Sequence, residues 1–390
     1  MSDERFDCII VGGGLAGLTA AYILAGEGME VLLVEKGNYS GAKNMTGGRL
    51  YTHSFERVGP GFLEGAPLER KIVKERFSRG CGGGMATLEY ESAAIEAPGG
   101  ESYSVLRGLF DRWLADQAEE QGAMLVYGVK IDELLVQDGK VYGVRAGEEE
   151  MEANVVILAD GVNSLLGREL GITAAPRADN TYVGVKEVLG LSEDIINERF
   201  GLAPGEGAAW LLHGCIDVCE GFLYTNKDSV SIGLTMLVGE TDKIESNLPQ
   251  LLEDFKESPE IAPLLEGSRL MEYSAHLLPE GSGGMQKLYA DGVLVAGDSA
   301  ALCVNLGYTL RGMDLAVESG RLAAQAVIEA CGKGDFTAQA LSAYQAALEG
   351  SFISCCVKGA GECHAAVKGS KFEDGPASAI NGALGQAGIS

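Results

Sequence analysis

Basic residues are in short supply: 30 Lys and Arg stand against 56 Asp and Glu, for a net charge of −26. A surface of that sign repels nucleic-acid phosphates and presents no polybasic patch to an anionic bilayer, so nucleic acid is not expected as a partner. Its ordinary use is solubility, and it also suits a basic protein partner. Histidine is rarer still. His53, His213, His276 and His364 are scattered, and none stands beside a Ser or Cys in a recognisable nucleophile motif, so triad-type hydrolysis is not expected. No apolar run reaches the roughly 18 residues of a spanning helix. The acidic opening "MSDERFD" lacks the basic and apolar regions of a secretory signal. Nine cysteines without such a signal point to reduced thiols and a cytoplasmic setting. Cys215 and Cys219 are spaced C-x-x-x-C on a polar, loop-like segment, the cluster Cys355, Cys356, Cys363 and His364 lacks the workable spacing of a four-ligand site, and ferredoxin-type four-Cys spacing is missing. No metal site and no iron–sulfur cluster are expected.

What the chain does have is organised around Asp7–Gly17, "DCIIVGGGLAG". Cys8, Ile9, Ile10 and Val11 form a continuous apolar run, the pattern of a strand buried on both faces. Gly12, Gly14 and Gly17 follow in G-x-G-x-x-G spacing. The first glycine allows a tight turn, the second lets backbone approach a pyrophosphate, and the third lets a helix pack closely on its strand. Backbone N–H groups at that helix start face anionic phosphates. A second apolar run, Val31–Val34, ends at Glu35, 21 residues after Gly14, where a carboxylate accepts hydrogen bonds from a ribose. Together these predict a dinucleotide site, with Gly13 and Ala16 inside the same turn and helix start.

Further along, the pattern predicts a helix over 15–27 and a polar, glycine-rich segment at 36–51. A mixed-strand stretch spans 72–92. A helix over 103–122 has Ser104 as cap and Gly122 as stop. A strand then ends in "ADGVNS" at 159–164. Residues 180–236 alternate and are turn-rich, with a hairpin turn at "NKDS". A helix with Pro249 in its first turn follows at 247–258. "DGVLVAGDSA" at 291–300 is another buried strand, and 309–332 is a long helix ending at Gly332. From about 355 the composition predicts a loosely ordered tail. The fold class is thus α/β: a Rossmann-like dinucleotide-binding domain with a mostly parallel sheet (1–75, 101–175 and 285–350), interrupted by an α+β domain with an antiparallel sheet (76–100 and 176–284), then a tail at 351–390.

Three separated pieces bear on one cofactor: the N-terminal glycines, "ADGVNS" and the late "AGDSA" turn. An extended molecule such as FAD needs the third piece, where Asp298 is placed for ribitol hydroxyls with a helix N-terminus after it. These segments, with "SGAKNMTGGRLY", "YSVLRGLFDRWLADQAEEQGA" and "NLGYTLRGMDLAVESG", resemble the glutathione-reductase-type FAD superfamily. The branch is that of geranylgeranyl reductases and electron-transfer-flavoprotein:quinone oxidoreductases, and within it the FixC-like flavoproteins. The resemblance implies that Gly12, Gly14 and Gly17 hold the pyrophosphate and Glu35, with Lys36 beside it, the adenosine ribose. It places Arg107 near the ribityl phosphate, backbone of Val129 at adenine, Gly297 and Asp298 at ribitol and phosphates, and Gly47, Gly48 and Gly307 at the isoalloxazine.

Three of these side chains have a second reading. Arg107 either meets the cofactor or pairs with Asp111 at i+4, a surface contact. Asp160, with Gly161, either contacts the cofactor or turns the chain. Arg311 either places positive charge near the flavin or pairs with Asp314 at i+3. A single dinucleotide fingerprint, without a redox C-x-x-x-x-C, departs from the disulfide reductases. The resemblance therefore implies an FAD oxidoreductase passing electrons from electron-transfer flavoprotein subunits toward quinone and a separate ferredoxin-like protein. Reduction of isoprenoid double bonds and a non-catalytic FAD-holding role are the alternatives. The 355–390 segment departs from the family's helical C-terminus, which leaves contact with partners or with the inner face of a membrane open.

Overall fold

The computed structural model describes residues 5–359, apart from 46–47, 82–83, 94–99, 217, 280, 282–285 and 306–309. In the first of two large sheets, β1 (Phe6–Val11) lies between β2 (Val31–Glu35) and β10 (Glu149–Leu158). Beyond them stand β7 (Met124–Tyr127) and β17 (Val293–Val295), and all these pairings are parallel. β16 (Tyr289–Ala290) closes one edge in antiparallel register. The hairpin of β8 (Glu133–Gln137) and β9 (Lys140–Ala146) continues from the first half of β10. Cys8, Ile9, Ile10 and Leu33 are fully buried, as a strand covered on both faces requires. The helices Leu15–Gly26 and Met313–Lys333 meet so closely that a Cβ on Gly320 would lie 2.1 Å from the Ala16 carbonyl oxygen.

The second sheet runs β15 (Arg269–Pro279), β11 (Thr181–Gly190), β14 (Ser229–Leu237), β13 (Cys219–Thr225), β12 (Glu206–Ile216), β4 (Leu68–Cys81), β6 (Ser102–Val105) and β3 (Gly48–Tyr51), with β5 (Gly84–Glu91) also paired to β4. Its pairings are antiparallel except β12 with β4. Side chains alternate between two faces along each strand. One face carries Val185, Leu189, Trp210, Leu223, Ile232 and Leu234, which pack with the helices Glu193–Phe200 and Leu248–Lys256. The other faces the first sheet.

The hairpin turn at "NKDS" forms as the pattern predicts, with Asn226 N donating to Ser229 O at 2.8 Å. Several boundaries move. The helix expected over 103–122 begins at Arg107, because Ser102–Val105 pairs with β3 and β4. Ser104 therefore caps nothing; its hydroxyl donates to Thr225 O at 2.7 Å. The helix expected from 309 begins at Met313 and runs past Gly332 to Lys333, ending on Gly334 at φ +62°. Cys215 and Cys219 lie on paired strands rather than a loop. The strands at 48–51, 68–75 and 102–105, assigned from sequence to the FAD-binding half, hydrogen-bond into the second sheet, because the long β4 reaches β12 and carries β6 and β3 with it. Residues 352–359 are helical, not loose, since Ile353 and Val357 give that segment a buried face. The tail expectation for 360–390 lies outside the described residues. No helix among the described residues is long and apolar enough to cross a membrane.

Candidate functional site

The C-terminal ends of β1, β2, β10 and β17 meet the second sheet across a cavity of about 430 Å³, the position where parallel α/β sheets receive ligands. The first wall is mostly backbone. Gly12 turns the chain at φ +111°, where an added Cβ would lie 2.1 Å from the Ala159 carbonyl oxygen. A Cβ on Gly17 would lie 2.1 Å from Gly12 O, so this glycine serves helix–strand packing. Gly14 is different: its Cβ direction has nothing within 4 Å and the residue lines the cavity.

Glu35 sits at the tip of β2 and its carboxylate is fixed by two backbone donors, Gly13 N at 2.7 Å and Gly37 N at 2.6 Å. Val129 joins the same edge, its N–H donating to Glu35 O at 3.2 Å. Across the cavity Ser299 links two turns: its hydroxyl donates to Asp160 Oδ1 at 2.9 Å and accepts from Gly161 N at 2.8 Å. Burial pushes the Asp160 carboxyl up, and the hydroxyl of Ser299 draws it back in part. The Asp298 carboxyl is likewise raised by burial against the pull of His276 and Arg107. No long helix follows Asp298 directly. Gly297–Ala300 is a short 3₁₀ turn, and the next long helix, Met313–Lys333, lines the cavity with its start.

The second wall is made of side chains. Register puts Lys186 opposite Gly233, Gly233 opposite Phe222, Gly184 opposite His276 and Tyr182 opposite Leu278. Lys186, Phe222, Tyr224, His276 and Leu278 thus share one face, and all line the cavity. Burial, with the cations Arg107 and Lys36, lowers the His276 pKa against the pull of Asp298. Burial among apolar and aromatic groups lowers that of Lys186 to about 7.

The arginines around the cavity carry carboxylate partners. Arg107 makes a bidentate pair with Asp111 at 2.7 and 2.8 Å, and Asp111 is fully buried, so this is no surface contact. Arg107 lines the cavity as well. Arg311 pairs with Asp314 and lies 3.0 Å from His53 Nε2. Burial alone would raise the Asp314 carboxyl; hydrogen bonds from His53 and Arg311 hold it below the usual carboxylate range.

Residues 5–199 match the family described as FAD binding domain. The chain is 48% identical over 357 residues to the probable electron transfer flavoprotein-quinone oxidoreductase YdiS of Escherichia coli strain K12, covering 90% of this chain and 83% of that one. It is also 48% identical over 353 residues to protein FixC of Salmonella typhimurium, covering 90% and 82%. The chain belongs to the FixC family of FAD-dependent oxidoreductases. Its fold is shared at lower identity by a geranylgeranyl bacteriochlorophyll reductase-like protein of Thermoplasma acidophilum, with a TM-score of 0.73, 22% identity, and 89% and 84% of the two chains covered.

Within this FixC-family chain, Gly12, Gly14, Ala16, Glu35, Lys36, Gly48, Arg107, Val129, Asp160, Gly161, Gly297 and Asp298 line one cavity. Gly13 and Gly17 stand behind it, the first as a donor to Glu35 and the second as a packing contact. Gly47 and Gly307 lie outside the described residues. The sequence reading did not single out Lys186, Phe222, Tyr224 or Arg49, and it treated His276 only as one of four scattered histidines. A usable signal existed for the first: "TYVGVKEVLG" sets a lysine and a glutamate side by side in an otherwise largely apolar strand, the lysine on the same face as Tyr182.

Proposed function

We propose that the chain takes electrons from an electron-transfer flavoprotein and passes them through its FAD to a quinone, in partnership with a separate ferredoxin-like protein. The observation that carries this reading is the single cavity joining the glycine turn, Glu35 and the Asp298 turn on one wall to an apolar, aromatic face on the other. FAD fits the residues present. Gly14 leaves open the space a pyrophosphate needs, while Gly12 and Gly17 admit no side chain for reasons of packing. Gly12, Gly14 and Ala16 would hold the pyrophosphate, Glu35 the adenosine ribose and Val129 the adenine edge. Arg107, Gly297 and Asp298 would hold the ribityl chain and its phosphate, and Gly48 would border the ring. Bound FAD supplies redox chemistry that needs no protein nucleophile, and the protein sets position, charge and solvent access. The Phe222 and Tyr224 rings, with centroids 5.7 Å apart, give the far wall of the cavity an aromatic surface.

The test is reduction of a soluble quinone by the purified, FAD-loaded protein with reduced electron-transfer flavoprotein from the same cell. Flavoprotein-dependent quinol formation is expected. A colourless protein that takes up no added FAD, or one that saturates a polyprenyl lipid and leaves quinone untouched, overturns the reading.

A further inference from the structure

Three arginines line the cavity and each is matched by a carboxylate: Arg49 by Glu75, Arg107 by Asp111 and Arg311 by Asp314. Lys186 is not. It is 3% exposed and faces the cavity, yet it makes no hydrogen bond or ion pair with a described residue. Its Nζ instead lies 5.3 Å from the centroid of the Phe222 ring and 5.9 Å from that of Tyr224. The next residue shows what a buried charge ordinarily does in this strand: Glu187, on the opposite face, pairs with Lys256 at 2.6 Å. Inward-pointing charges also protect sheet edges, but β11 has a partner strand on each side. Two aromatic faces stabilise a cation, but by less than it costs to bury an unpaired ion. Within the protein Glu272 attracts the Lys186 ammonium at longer range and Arg107 repels it, so the ammonium form is favoured when a negative charge arrives with whatever fills the cavity.

We propose that Lys186 is the counter-charge to the reduced flavin ring and so raises the ring's reduction potential. The inference rests on the FAD reading above and assigns this face of the cavity to the ring. Uptake of two electrons and one proton leaves the ring with one net negative charge. The electrons come from the electron-transfer flavoprotein in the cell, or from dithionite in a titration. An ammonium held beside the ring in low dielectric favours that anion over the neutral oxidised form. The arginines serve this purpose less well, since their charge is already neutralised.

The test compares the wild-type holoprotein with Lys186→Met, Lys186→Gln and Lys186→Arg, after FAD content has been measured in each. Sulfite titration reads the same charge without electron transfer, because sulfite bonds to the oxidised ring and leaves it anionic. In the two neutral variants sulfite should bind about tenfold more weakly, and the two-electron potential should fall by about 30 mV for each tenfold. Lys186→Arg should restore most of both. FAD-loaded Lys186→Met or Lys186→Gln with wild-type sulfite affinity and potential overturns the assignment. A wild-type protein that holds no FAD defeats the cofactor reading instead, which keeps the two failures distinct.

Discussion

β1 and β11 occupy matching places, each flanked by a strand on either side, but they contribute to the cavity in opposite ways. Every residue of β1 from Cys8 to Val11 is buried and apolar, and the strand reaches the cavity only through its end and the glycine turn beyond. β11 buries adjacent charges on opposite faces, Glu187 against Lys256 and Lys186 toward the cavity. The parallel sheet makes its half of the site from backbone at strand ends. The antiparallel sheet makes its half from side chains on one face. The first half should therefore be broken by adding atoms, and the second by changing charge.

The largest effects belong to the glycine turn. Gly14→Val should leave a folded protein that retains no FAD, because its side chain enters open cavity rather than protein. Gly12→Val should fail earlier, in folding, since its Cβ would meet the Ala159 carbonyl and its φ is +111°. Circular dichroism separates the two outcomes. A folded Gly12 variant, or a yellow Gly14 variant, would undo the division of roles.

A smaller effect, with a pH signature, is expected at Lys186. Its pKa is lowered from 10.5 to about 7 in the fold. Between those values the unfolded chain carries a proton that the folded chain lacks, so stability rises with pH across that window. Below pH 7 both forms are protonated and the whole penalty applies. Lys186→Met should therefore stabilise the oxidised protein by an amount on the order of a few kcal/mol near pH 6, and by less near pH 10. Thermal melts at the two pH values measure this, and a pH-independent gain would place the lysine in a wetter site. Smaller again is Glu35→Gln. It replaces one of two acceptors of backbone N–H groups with a donor and should cost roughly 2 kcal/mol, with weaker FAD retention.

The backbone-made half was legible because periodicity and glycine spacing report directly on strands and turns: β1, β2 and the fingerprint lie where the sequence pattern predicts. The late Asp298 turn was legible too, though not its 3₁₀ form over Gly297–Ala300, which postpones the following long helix to Met313. What the chain did not announce was the face built by register. Lys186 meets Phe222 through Gly233, two strand pairings away and 36 residues on in sequence. Such pairing has no local signature, and the strands 48–51 and 102–105 went to the second sheet for the same reason.

The smallest effect on the cavity tests whether the second sheet's two faces act independently. Trp210 lies on the helix-packed face, and its Nε1–H donates to Ser78 Oγ at 2.7 Å. The Ser78 hydroxyl also lies 2.7 Å from Thr87 Oγ1. Ser78→Ala leaves a buried indole N–H without its acceptor, a loss of about 1–3 kcal/mol. Trp210→Phe removes the donor and leaves the hydroxyl its threonine partner, so the hydrogen-bond share of its loss should be nearer 1 kcal/mol. Denaturant unfolding should register the Ser78→Ala loss while the flavin spectrum, FAD retention and sulfite affinity stay at wild-type values, since Lys186, Phe222 and Tyr224 project from the other face. A shifted flavin spectrum in Ser78→Ala would mean that packing against the helices positions the cavity wall, and that the chemistry of the second sheet depends on both faces at once.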